Sequence, residues 1–226
     1  MSRIVVFGAG GKAGRKVVDE AVSRGHEVIA VVRDPSQYSD LGRGGVAVVT
    51  GDVTDADSVA AAAAGAVAAV STVFRPDVPA GDFYRAAAEA LVGGLGKAGV
   101  NRLAVVGVGT VLEVSPGVAV HDTPGFPEAG KEFSLGHAAE IAVLEGSDAS
   151  LDYVVVVPPP VVLDAEAERT GNYRVGGKAL HPSAEGSPPF SYADLAVALI
   201  DEVETPQHHR ELISVACPLP LIGNPS

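Results

Sequence analysis

The seven residues GAGGKAG at positions 8–14 constrain this chain more than any others. They follow an apolar run, Ile4 to Phe7, and lead into a segment from Ala13 to Arg24 with apolar residues at Val17, Val18, Ala21 and Val22. The run reads as a buried strand and the spacing as a helix, so the glycines occupy a strand-to-helix turn. Gly8, Gly11 and Gly14, with an extra glycine at Gly10, form a GxxGxxG pattern. Gly8 suits the tight turn. Gly10 and Gly11 let backbone N–H groups, with those of Lys12 and Ala13, approach a diphosphate, and Gly14 lets the helix close on the strand. A glycine-rich turn can be merely structural, and here position discriminates, because the pattern opens a βαβ unit. A Walker A loop is excluded, since Ala13 follows Lys12 and no glycine stands five residues before Gly11.

The pattern of alternation continues. His26 begins a second strand ending at Arg33 and the turn signal "DPS"; "VAVVTGDV" (46–53) reads as a third, and Asp55 caps an Ala-rich helix to Ala64. "AVAAV" (66–70) predicts a fourth strand, 81–98 a helix closed by Gly99, and 102–108 a fifth strand. Continuous apolar strands alternating with helices predict an α/β fold, a Rossmann-type doubly wound parallel sheet. The later part is looser: a Pro- and Gly-rich loop at 113–130, a helix at 131–145, a strand at 153–157 stopped by three prolines, and a turn-rich stretch at 161–189 with a hairpin in "GNYRVGGKAL". A helix at 192–204 and a strand at 211–215 close the pattern, and the tail "PLPLIGNPS" is expected to be poorly ordered or to lie across a partner. Size favours one domain over residues 1–226, with a small C-terminal substrate lobe.

Ligands of such folds lie outside the carboxyl ends of the strands. At the end of the second strand, an acid would bind the ribose 2′-hydroxyl of NAD, and a cation the 2′-phosphate of NADP. The first residue past the strand is Arg33, a bidentate phosphate ligand, which favours NADP; Asp34 follows at once and keeps NAD open. Asp52 and Val53 fall where such a fold meets the adenine, and Ser71, Thr72 and Val73 where it meets the ribose and diphosphate.

The acceptor half is defined partly by what it lacks. No tyrosine has a lysine four residues later, the pairing in which the ammonium lowers a phenol's pKa for proton transfer. The helix expected to carry it has Phe133 and His137 at that spacing instead. A phenyl ring donates no proton, so an ordinary ketone or alcohol substrate is disfavoured. His137 faces the expected nicotinamide position. Thr110, after Gly107 and Gly109, ends the fifth strand with a hydroxyl in reach of nicotinamide or substrate. No HxxxH, HExxH or GxSxG pattern is present, so neither a metal site nor a hydrolase elbow is expected.

Composition removes other classes. A formal net charge of −12 opposes binding to nucleic acid or anionic lipid, and no apolar run is long enough to span a membrane. No signal peptide is visible and Cys217 is the only cysteine, so a cytoplasmic protein is expected. Monomer and homodimer both remain open.

The motifs "FGAGGKAG", "HEVIAVVRDPS", "GDVTD", "RLAVVGVGT", "ERTGNYRVGG" and "FSYADLAVALIDEVE" span almost the whole chain. Together they resemble the atypical short-chain dehydrogenases of the NAD(P)H-binding, NmrA-like group, above all the bacterial NADH-flavin reductase-like (YwnB-type) family. Mammalian biliverdin reductase B, an NADPH-dependent flavin reductase, is similar; Thr110 matches its serine after the fifth strand and His137 its later-helix histidine, while Pro160 replaces a second histidine. The resemblance implies hydride transfer from a nicotinamide to a flavin, quinone or related conjugated acceptor, which needs stacking and distance control more than a tuned acid. Val157, Pro158 and Pro159 would wall the nicotinamide, and loops 113–130 and 161–189 would roof the acceptor. Because some NmrA-like proteins are sensors, a non-catalytic dinucleotide-binding regulator is the alternative.

Overall fold

The computed structural model describes residues 2–161, 163–181 and 189–218. Apolar runs build the sheet: β1 (Arg3–Phe7), β2 (Glu27–Val32), β3 (Val46–Thr50), β4 (Ala68–Ser71) and β5 (Arg102–Val106). Helices α1 (Lys12–Ser23), α2 (Ala56–Ala63) and α3 (Ala80–Ala98) alternate with them. A two-stranded ribbon, β6 (Glu113–Ser115) and β7 (Val118–Ala119), precedes α4 (Glu128–Glu145) and β8 (Asp152–Val157). The chain closes with β9 (Arg174–Gly176), α5 (Tyr192–Glu204) and β10 (Glu211–Ala216). No helix among the described residues is long and apolar enough to cross a membrane.

Eight strands form one sheet in the order β3-β2-β1-β4-β5-β8-β10-β9, parallel except for β9 against β10. Period-two alternation divides each strand between two faces. Ile4 and Val6 pack with Val17, Val18, Leu195 and Leu199, the apolar stripes of α1 and α5. Val5 and Phe7 pack with Val59, Leu91, Leu95 and Leu144 from α2, α3 and α4. Each fully buried aliphatic side chain contributes about 1.5–3 kcal/mol, so the faces hold the sheet in a fixed plane with its carboxyl edge free for loops. The chain runs outward from β1 through β2 to β3, then returns to β4 on the other side, placing the topological switch at the β1 and β4 ends.

Several boundaries differ from the sequence reading. The third strand stops at Thr50, because Asp52 is committed to a turn in which its carboxylate accepts from Thr54 N and Oγ1. The fourth strand begins at Ala68 rather than Ala66, and Val67 is 56% exposed. Loop 113–130 contains the β6–β7 ribbon and the first turn of α4. "GNYRVGGKAL" is not a hairpin. Val175 in β9 pairs with Val215, and Ala179 bridges to Glu113, so the two expected roof loops are tied to each other. The tail from residue 219 lies outside the described residues.

Candidate functional site

The turn after β1 is fixed by contacts that exclude side chains. Gly8 has φ +77°, a left-handed conformation, and a Cβ there would stand 2.8 Å from the Thr72 carbonyl oxygen. At Gly14 a Cβ would stand 2.2 Å from the Gly8 carbonyl oxygen, so α1 begins directly against the turn. Gly11 is the N-cap of α1; no side chain caps it among the described residues, and the first turn carries no acid. The opening N–H groups of Lys12, Ala13 and Gly14 therefore lack intrahelical acceptors and sit at the positive end of the helix dipole. That combination accepts a phosphate group without rearrangement. The Lys12 side chain faces a separate groove with Arg15, Lys16 and Asp40.

Beside this turn a pocket of about 170 Å³ opens over the ends of β1 to β4. It brings together Gly8, Gly10 and Gly11 with Arg33, and Asp52 and Val53 with Thr72 and Val73. Tyr38 lines it too, its ring packed so closely on Gly10 that any Cβ there would meet it at 2.3 Å. Phe74, Arg75 and Phe83 complete the lining and were not singled out from sequence. Phe74 and Arg75 lie three and four residues past the end of β4, so the strand-end rule that selected Val73 reaches them one and two residues further on. Ser71 is outside the pocket, 1% exposed within the sheet, its hydroxyl without a hydrogen-bond partner among the described residues.

Electrostatics separates the two residues that bear on nucleotide choice. Arg33 is exposed at the pocket and forms no hydrogen bond or ion pair of its own among the described residues. Asp34 is spent on its own turn: its carboxylate accepts from Ser36 Oγ at 2.7 Å, Gln37 Nε2 at 2.8 Å and Ser36 N at 3.1 Å, capping the turn Pro35–Leu41. Those donors, the Ser36 hydroxyl foremost, hold it below the ordinary carboxylate range. Arg75 is paired with Asp77 at 2.7 Å and holds that carboxyl down at about 2. Asp52 is likewise lowered, first by the Thr54 backbone N–H and hydroxyl, then by the charges of Arg75 and Arg33.

Past the pocket, the ends of β5 and β8 meet. A Cβ at Gly107 would stand 2.8 Å from Val157, and one at Gly109 would stand 2.3 Å from the Pro160 nitrogen. Val157, Pro158 and Pro159 are buried and support the loop that carries Thr110. Thr110 Oγ1 lies 2.8 Å from Ser134 Oγ, and Ser134 Oγ lies 2.7 Å from His121 Nδ1. Neither Ser134 nor His121 stood out in the sequence, since the residues that bring them to Thr110 come from separate segments.

His137 is placed differently. It is 4% exposed, with its ring 4.0 Å from that of Tyr84 and its Nδ1 3.0 Å from Glu140 Oε2. Phe133 packs edge-on against His137, Tyr84 and Phe74, and Phe74 reaches the pocket at 60% exposure. An aromatic wall thus runs from the pocket to α4, with His137 behind it. Burial, and next the Glu140 charge, push the Tyr84 phenol well above its ordinary value. Its hydroxyl donates only a long bond to Val73 O at 3.4 Å, so Tyr84 is a packing residue and not a proton donor.

A doubly wound sheet, a glycine turn at its switch point and a pocket lined by an arginine that has no partner among the described residues define a protein that binds a nicotinamide dinucleotide. The chain belongs to the NAD(P)H-binding family, whose profile matches residues 8–206. It is 32% identical over 215 residues to the uncharacterised protein YwnB of Bacillus subtilis (strain 168), covering 94% of this chain and 97% of that one. A solved structure of an exported protein, described as putative, from Burkholderia pseudomallei matches with TM-score 0.83 and 35% identity over 96% of this chain and 100% of that chain. SP1627 of Streptococcus pneumoniae TIGR4, described as a putative NADH-flavin reductase, matches with TM-score 0.80 and 29% identity, covering 96% of this chain and 100% of that chain.

Proposed function

We propose that the chain is an NAD(P)H-dependent oxidoreductase that prefers NADPH and reduces a flavin, quinone or related conjugated acceptor. The observation that carries this reading is the division of labour at the end of β2, where Arg33 faces the pocket with no partner among the described residues while the Asp34 carboxylate is consumed by its own turn. An acid so engaged offers little to a ribose 2′-hydroxyl, whereas a free guanidinium suits a 2′-phosphate. Backbone N–H groups from Gly10 to Gly14, those of Lys12 and Ala13 included, would hold the diphosphate. Asp52 and Val53 would border the adenine, and Thr72 and Val73 the neighbouring ribose, while Ser71, buried in the sheet, is too deep to touch it.

When bound, the cofactor supplies a hydride from its nicotinamide ring. The chain's own part is to seat that ring against the loop that the buried Gly107, Val157 and Pro158 support from beneath, and to exclude water with the wall of Phe74 and Phe133. A flat conjugated acceptor suits such a wall, because aromatic surfaces stack by offset and edge contacts. Thr110 would touch the acceptor. His137 would act from behind the wall, holding Phe133 and Tyr84 in place, so its replacement by alanine should lower turnover more than cofactor affinity. The description of SP1627 as a putative NADH-flavin reductase supports the same acceptor class.

Mixing the protein with NADPH and then with FMN, riboflavin or a quinone, and following the loss of reduced-nicotinamide absorbance, tests this. Rapid oxidation with any of them supports the reductase. Tight NADPH binding without turnover would replace it with a sensor whose partner surface responds to cofactor occupancy.

A further inference from the structure

Thr110 lies beyond the residues that line the pocket, and the hydrogen bonds around it run inward to Ser134 and His121. His121 Nδ1 lies 3.0 Å from the Thr110 carbonyl oxygen as well as 2.7 Å from Ser134 Oγ. A carbonyl oxygen only accepts, so His121 carries its proton on Nδ1 and shares it between that carbonyl and Ser134. Ser134 Oγ then accepts from His121, and it also lies 2.8 Å from Thr110 Oγ1, which donates to it. Rotation of the two hydroxyls turns that bond round, so that Ser134 donates to Thr110 and the Thr110 hydrogen points away from Ser134. Ser134 is 0% exposed and His121 7% exposed, so the chain is shielded from competing water. Its far end is different: His121 Nε2 stands 3.5 Å from Asp122, a half-exposed carboxylate that also lies 3.4 Å from Lys131.

We propose that His121 and Ser134 are a proton relay serving Thr110, so that the protein favours acceptors whose reduction requires a proton on oxygen or nitrogen, quinones first among them. This rests on the reductase reading above. In the step, the acceptor takes a hydride, two electrons and one proton, and becomes an oxyanion. The Thr110 hydroxyl proton passes to that oxygen, the Ser134 proton to Thr110, and the His121 Nδ1 proton to Ser134. His121 gains one proton from water at Nε2, and reversal of the hydroxyl rotors with exchange of the imidazole protons restores the starting tautomer. The net change is a quinone plus reduced nicotinamide plus one proton giving hydroquinone and oxidised nicotinamide. No lysine-supported tyrosine is needed, which accounts for a phenylalanine at position 133.

His121 acts through Ser134 and is a positioning and relay residue, so its test must separate that from packing. Asparagine can place an amide N–H where Nδ1 stands and keep the bond to Thr110 O, but it has no second nitrogen to reload from water; phenylalanine removes both. With p-benzoquinone as acceptor, both H121N and H121F should lose roughly 100-fold or more in kcat, with NADPH affinity retained in H121N. Turnover in H121N within about twofold of wild type would show a structural role and overturn the relay. A second readout needs no turnover: nitrogen-15 NMR of the cofactor-free protein should show His121 as the Nδ1–H tautomer, with that proton exchanging faster in S134A. An Nε2–H tautomer would overturn the relay and leave the reductase reading standing. Wild-type protein that binds NADPH yet reduces no acceptor would remove the reductase reading and the relay with it.

Discussion

The two ends of the cleft are built on different principles. At the nucleotide end, the proposed function rests on backbone geometry and one guanidinium, delivered by turns that each follow a strand directly. At the acceptor end the proposal rests on side chains from scattered segments: Thr110 after β5, His121 between the ribbon and α4, Ser134 on α4, and the prolines after β8. The first construction is local and repeats around the sheet edge, so glycine spacing and strand order define it. The second depends on loops that fold back on each other, such as the Glu113 N–H donating to Lys178 O at 2.8 Å. The nucleotide end is therefore the part that many chains of this fold can share, and the acceptor end the part through which this one can differ.

Breaking the base on which both ends stand should have the largest effect. Arg102 is 6% exposed and pairs with Glu202 and Asp152, each at 2.9 Å. Arg102→Ala takes the guanidinium from buried Glu202, which keeps only His208 and the backbone N–H groups of Gln207 and His208 among the described residues, and denaturant unfolding should show a loss of about 3–5 kcal/mol. An unfolding free energy within experimental error of wild type would mean the network adds nothing. Next comes Gly14→Ala, which forces α1 away from the turn. Overpacking of this kind costs about 1–3 kcal/mol, and cofactor affinity should fall with it while the acceptor-end hydrogen bonds persist. Equal damage at both ends would erase the distinction drawn here.

Arg33→Ala should weaken NADPH by about 1–3 kcal/mol, the range for a lost charge-assisted contact, and NADH hardly at all. Equal losses for the two nucleotides would contradict the 2′-phosphate assignment. The pH response should be smaller. Arg169, and next Arg24, donate to the Glu20 carboxylate and hold it below the ordinary range. With the folded value lowered, its contribution is complete above the unfolded carboxylate pKa of about 4.3 and is lost as the pH falls through the folded value. The stability gap between wild type and Glu20→Gln should therefore narrow on acidification below that point; a gap that widens there would reverse the sign. Smallest of all is Tyr84→Phe, which removes only a 3.4 Å bond to Val73 O and should change the unfolding free energy by about 0.5 kcal/mol.

The contrast between the two ends also explains what the sequence disclosed. Parallel strands and their helices were legible because buried apolar runs and glycine stops are local signals. Arg33 could be placed at the pocket from its position alone. The role of Asp34 was within reach as well: Asp-Pro-Ser is the signature of a capping turn, and the cap is what engages that carboxylate. Other features were out of reach. The partner of β9 is β10, and Gly176 pairs with Ser214 across a separation no local pattern encodes. His121 looks like any loop residue until α4 brings Ser134 against it, and His137 gives no sign in sequence that Glu140 and Tyr84 will enclose it.

A crystal structure of the protein with NADPH tests the central claim most directly. The account predicts the diphosphate on the N–H groups that open α1, with the 2′-phosphate against Arg33 and the nicotinamide directed toward Thr110. A dinucleotide seated elsewhere, or an Arg33 turned away from the phosphate, would contradict it.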